Sequence, residues 1–114
     1  MTYAVITVAG ISARFNRDAE DPVLKCIYYS KNPRKTLLYS ILKKCEGCKG
    51  VVIVGGYQFA ELERYVDFYK MDFSFDIKVV YNSYFKIYGS GYSLKIGLQE
   101  CLKQERCTDI LVIE

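Results

Sequence analysis

Four short aliphatic runs set the strongest limit on how this chain folds: Val5-Ile6-Thr7-Val8, Val51-Val52-Ile53-Val54, Ile77-Lys78-Val79-Val80 and Ile110-Leu111-Val112-Ile113. They are rich in β-branched residues and mostly lack alternation, as expected of strands buried on both faces. Segments with helical spacing lie between them. Leu37, Leu38, Ile41, Leu42 and Cys45 share one face, with Thr36 or Asn32 as the N-cap. Phe59, Leu62, Val66 and Tyr69 share another, and Leu94, Leu98, Cys101 and Leu102 a third. Gly47 and Gly50 are expected to end the first helix and introduce the second strand. Strand and helix therefore alternate, which predicts right-handed crossovers and a three-layer, Rossmann-like α/β sheet, parallel, with helices on both faces.

A chain of 114 residues fits one domain with a core of its own. Apolar residues make up 51% and charged residues 25%, the composition of a globular protein and not of a disordered segment. The net charge of +3 suits small anionic ligands and is too weak and scattered to argue for nucleic acid. No apolar run approaches the roughly 20 residues that span a bilayer. The N-terminus lacks the basic segment and cleavage site of a secretory signal, so a cytoplasmic location is expected. Eleven tyrosines and no tryptophan are unusual, and the sequence attaches no function to them.

Cys26, Cys45, Cys48, Cys101 and Cys107 form an odd set in a chain without histidine, which favours reduced thiols, several of them core filler. Cys45 and Cys48 have CxxC spacing, but no second CxxC or histidine pair exists to complete a zinc site. A redox site of the thioredoxin kind places CxxC between a strand and a helix start, whereas this pair falls at a helix end.

Two connections are longer than the usual handful of residues: residues 10–35 and residues 82–92. Each follows the carboxyl end of an expected strand, the edge where open α/β sheets bind ligands. In the first, Gly10 permits a sharp turn, and Ser12 and Ala13 keep the loop slim enough for amide N–H groups to point at phosphate oxygens. Arg14 adds a forked cation. Lys25, between Val23-Leu24 and Cys26-Ile27, needs solvent or an anion for its ammonium. Taken singly, Arg14 also reads as a solvated loop residue and Lys25 as the outward position of a short strand. Neither GxxxxGK[ST] nor GxGxxG is present, which excludes both common phosphate signatures.

In combination these pieces resemble the nucleotidyltransferase family. Its pattern, roughly L-A-A-G-x-G-[ST]-R, then P-K-x-L, then G-[KR]-[PT]-L-L, reads here as Val8-Ala9-Gly10-Ile11-Ser12-Ala13-Arg14, Leu24-Lys25-Cys26-Ile27 and Arg34-Lys35-Thr36-Leu37-Leu38. VVIVGGY (51–57) is similar to the family's second strand and the glycine after it. VVYNSYFKIYGSGYSL (79–94) is similar to the third strand and its loop, with Asn82 and Ser93-Leu94 matching an N…SL signature of the sugar-phosphate and phosphocholine branch. The resemblance runs from residue 3 to the end and makes residues 1–114 the N-terminal, nucleotide-binding part of such a domain.

The resemblance implies transfer of a nucleotidyl group from a nucleoside triphosphate, CTP foremost, to a phosphorylated acceptor such as phosphocholine or a sugar phosphate, with release of pyrophosphate. It assigns Arg14 and Lys25 as the catalytic cations. The backbone of Ala9, Gly10, Ile11, Ser12 and Ala13 would hold the triphosphate, and Asn82, Gly89, Ser90, Gly91 and Ser93 would bind the nucleotide, the last four near base and ribose. Ser12 replaces a family glycine, Ala13 a Ser/Thr and Leu24 a proline, and none of these changes removes a charge. Mg²⁺ is expected in the complete protein, held by an aspartate just after the fourth strand; the sequence stops at Ile113-Glu114, so the fold is expected to be truncated there and the chain alone inactive. The exposed fourth strand then predicts a homodimer through the sheet edge. The competing readings are a non-catalytic nucleotide-binding or assembly module with the same fold and a plain Rossmann-like domain with a redox CxxC.

Overall fold

A computed structural model of the protein describes residues 2–8, 25–84, 90–104 and 108–113, with the side chains of Lys25 and Ser90 outside that set. Four strands, β1 (Thr2–Thr7), β2 (Gly50–Gly55), β3 (Asp76–Tyr81) and β4 (Asp109–Ile113), form one sheet in the order β3-β2-β1-β4. All three pairings are parallel, with Ile6 opposite Ile53 and Ile113, and Ile53 opposite Val79. Three helices accompany them: α1 (Leu37–Lys44), α2 (Phe59–Tyr69) and α3 (Ser90–Leu102). The expected α/β architecture is thus observed, and each aliphatic run lies in or against its strand.

The alternation of side chains along β1 divides the core into two layers. Ala4, Ile6 and Val8 join Val51 and Ile53 beneath α1 and α2, where Leu38, Leu42, Leu62 and Val66 close the interior. Val5 joins Val52 and Val54 on the opposite face, beneath Leu94, Leu98 and Cys101 of α3. Right-handed crossovers explain the change of face: the chain steps from β1 through β2 to β3 in one direction and then returns over the sheet to reach β4. Gly97 lets α3 lie close, since a Cβ there would overlap Val5 Cγ1 and stand 3.1 Å from Val54 Cγ2.

Helix α1 starts where its cap dictates. Thr36, and not Asn32, accepts the Tyr39 N–H at 3.0 Å. The Tyr65 hydroxyl donates to Pro33 O at 2.6 Å and lies 2.9 Å from Thr36 Oγ1, so α2 holds the approach to α1. Nearby, Asp72 accepts from Arg34 Nε at 2.8 Å and from the Tyr39 hydroxyl at 2.9 Å, and these bonds hold its carboxyl below the usual range.

Four local expectations change. Lys25–Ile27 forms a 3-10 turn and not a short strand. β3 and β4 are not buried on both faces, with Leu111 and Val112 45% and 41% exposed, whereas Gly47, at φ +99°, and Gly50, the first residue of β2, hold their expected places. Leu102, at the last turn of α3, is 71% exposed and does not share the buried face. Ser90 and Gly91 belong to the first turn of α3, so the connection after β3 is shorter than residues 82–92 suggest.

Candidate functional site

The carboxyl ends of the strands mark the edge at which an open parallel sheet binds ligands, most of all where the strand order reverses. That reversal lies between β1 and β4, because β1 leads to β2 on one side and β4 pairs on the other. The segment after β1 leaves from this point, and Val8 N extends the pairing with a 2.9 Å bond to Val54 O. Ala9, Gly10, Ile11, Ser12, Ala13 and Arg14 lie outside the described residues, as do Gly89 and the side chain of Lys25.

At the end of β3 the edge is built around one side chain. Asn82 is fully buried, and its backbone N–H donates to Gly55 O at 2.8 Å. Its Oδ1 accepts the Tyr84 N–H at 2.9 Å, which leaves Nδ2 to donate to Ser93 Oγ at 2.9 Å. Ser93 sits in the first turn of α3 and is also fully buried. One amide therefore ties together the end of β2, the turn after β3 and the start of α3. The partners it leaves are protein atoms, so Asn82 and Ser93 shape the edge from beneath. Helix N-termini present open N–H groups and a partial positive charge, and α3 presents its own on this side of the sheet.

Of the residues singled out by sequence, the structure brings Asn82 and Ser93 into direct contact, separated by eleven positions in the chain. Ser90 and Gly91 stand in the same first turn of α3, and a Cβ on Gly91 would meet nothing within 4 Å. Sequence alone does not single out Tyr84, whose ring meets Tyr92 edge-to-face at 5.8 Å and 87°. The signal was available in the Asn-x-Tyr spacing, since Asn side chains often accept from the backbone two residues on. Gln58 is likewise unannounced: it opens α2 just beyond β2 with φ +53° and no side-chain cap bond.

The described cysteines give this edge no chemistry. Cys26, Cys45 and Cys101 are buried, and these three and Cys48 are reduced. Burial pushes the Cys26 thiol up to about 12. Burial first, and then Cys48, pushes Cys45 up to about 11, so at neutral pH it is a thiol and a poor nucleophile. Among the described residues no group of three or more His, Cys, Asp or Glu side chains is placed to hold a metal ion. No helix among them is long and apolar enough to cross a membrane.

A family model described as Domain of unknown function (DUF6564) matches residues 21–114. No curated protein matches the chain. Two solved structures share its fold. The CTP:phosphocholine cytidylyltransferase from Streptococcus pneumoniae superposes with a TM-score of 0.60 at 22% identity, over 88% of this chain and 41% of that one. The inositol-1-phosphate CTP transferase from T. maritima gives 0.60 at 20% identity, over 87% of this chain and 38% of its own. The chain thus spans about two fifths of the length of the structures it matches, and the likeness is one of fold.

Proposed function

The chain belongs to the family described as Domain of unknown function (DUF6564), and from its fold and carboxyl edge we propose that it binds a nucleoside triphosphate, CTP first, as the nucleotide-binding part of a nucleotidyltransferase. The acceptor class is a phosphorylated small molecule such as phosphocholine or a sugar phosphate. The observation that carries this reading is the buried Asn82–Ser93 bond: it fixes the start of α3 at the ligand edge of a sheet folded like two CTP-dependent transferases.

In the reaction an acceptor phosphate oxygen attacks the α-phosphorus of the nucleotide, the bond from that phosphorus to the β-phosphate oxygen breaks, and pyrophosphate leaves. Such a displacement is helped mainly by positioning and by neutralising the charge that grows on the departing oxygens. Asn82 and Ser93 do the positioning, because they lock the first turn of α3 to the ends of β2 and β3. The backbone after β1 would cradle the triphosphate. Arg14 would meet its outer phosphates, and Lys25 the α-phosphate or the acceptor phosphate. Magnesium is proposed as the counter-ion that accompanies the triphosphate. The described residues supply no carboxylate set that fits it.

Calorimetric titration with Mg-CTP and with the other common triphosphates tests the reading. One of them is expected to bind with micromolar to millimolar affinity, and Arg14→Ala or Lys25→Ala to weaken it at least several-fold. Absence of heat with every triphosphate overturns the proposal. A complete protein that binds the nucleotide but releases no pyrophosphate in the presence of phosphorylated acceptors is instead a non-catalytic module of the same fold.

A further inference from the structure

The tyrosine surplus of the sequence gathers in part at the ligand edge. Of eleven tyrosines, Tyr57 follows β2, Tyr81 ends β3, Tyr84 follows it and Tyr92 stands in the first turn of α3. Tyr84 is held in two ways. Its backbone N–H donates to Asn82 Oδ1 at 2.9 Å, and its ring rests against the ring of Tyr92 at 5.8 Å in an edge-to-face arrangement. Tyr84 nevertheless keeps 47% of its surface exposed.

A ring packed edge-to-face on its neighbour, on a residue whose backbone is also held and which keeps 47% of its surface exposed, is pre-organised for stacking. Every nucleobase offers a π-face, and stacking on an aromatic side chain is sequence-tolerant. Position agrees with this chemistry. The ends of β3 and β1 lie two strand spacings apart, about 10 Å. A nucleoside triphosphate laid across the edge can thus put its base at the end of β3 and its phosphates at the loop after β1.

We propose that Tyr84, backed by Tyr92, is the platform on which the nucleobase stacks. The proposal rests on the nucleotide reading above and names the residue that selects a nucleoside over a bare polyphosphate.

The test uses the 114-residue chain, its Tyr84→Leu and Tyr84→Phe variants, and two probes, Mg-CTP and Mg-tripolyphosphate. Because the chain has no tryptophan, its intrinsic emission is that of its eleven tyrosines, and the part of the CTP quenching that is lost in Tyr84→Leu reports stacking on that ring. Tyr84→Leu is expected to weaken CTP about tenfold or more, to lose part of the quenching and to leave tripolyphosphate affinity unchanged. Tyr84→Phe is expected to bind CTP like the parent chain. Equal CTP affinity in parent and Tyr84→Leu overturns the stacking role while the nucleotide reading stands. Equal loss of both probes in Tyr84→Leu also overturns it, because the ring then acts by shaping the backbone. A parent chain that binds tripolyphosphate but no nucleoside triphosphate more tightly overturns it as well, and one that binds neither probe removes the nucleotide reading itself.

Discussion

At the scale of single residues, Asn82 shows how a buried polar group can organise an edge from beneath. Its three bonds are intramolecular, and among the described residues no buried side-chain nitrogen or oxygen lacks a partner. Ser93→Ala would leave the Asn82 Nδ2 donor buried and unpaired. The cost of such an orphan is about 1–3 kcal/mol, larger than the net value of the bond itself. Urea unfolding is expected to show that loss for Ser93→Ala, and Asn82→Ala/Ser93→Ala to lose less than the sum of the two single changes. Strict additivity would mean that the bond does not couple the two sites. The N…SL spacing made both residues visible in the sequence. Their contact was not visible, because nothing in a separation of eleven positions says that one side chain donates to the other. Both side chains are fully buried.

At the scale of elements, β1 and β2 were legible because burial on both faces leaves continuous aliphatic runs, and β3 and β4 keep such runs although they are only partly buried. The misreadings fall where that signal has no sheet behind it. Val23-Leu24-Lys25-Cys26-Ile27 has the composition of a strand, yet Lys25–Ile27 turns, with Cys26 buried in the layer beneath α1 and α2. Leu102 continues the spacing of Leu98 but stands 71% exposed at the end of its helix. Gly97 was equally silent: a glycine inside a helix reads as a weakness of up to about 1 kcal/mol relative to alanine. The structure gives it a use, because α3 reaches Val5 and Val54 only where no side chain intervenes. Gly97→Val is therefore expected to destabilise the fold by overpacking, by about 1–3 kcal/mol, despite the gain from removing a helical glycine. Thermal unfolding checks this, and a raised Tm would show that α3 can shift away from the sheet at little cost.

At the scale of the whole molecule, the two edges of the sheet are not equivalent. β3 carries Lys78 at its centre, ion-paired to Glu100 of α3, and a charge at that position discourages another strand from adding on. Ile110 to Ile113 of β4 contains neither a charge nor a proline, and Leu111 and Val112, which point to opposite faces, remain 45% and 41% exposed. Among the described residues β4 pairs only with β1, so the outer N–H and C=O groups of Ile110 to Ile113 offer a template for a further strand. A second copy of the chain offers the same template, and two-fold symmetry lets β4 meet β4 in antiparallel register. The 114-residue chain is expected to form dimers whose population rises with concentration in light scattering, with the outward amides of β4 protected from exchange. Leu111→Lys should return it to monomer, since each copy would bring a cation to the shared seam, while Lys78→Ala should leave the dimer in place. A monodisperse monomer at high concentration, with those amides exchanging freely, would show that the β4 edge does not pair with its own copy. The inequality of the two edges would then describe the sheet without deciding its assembly.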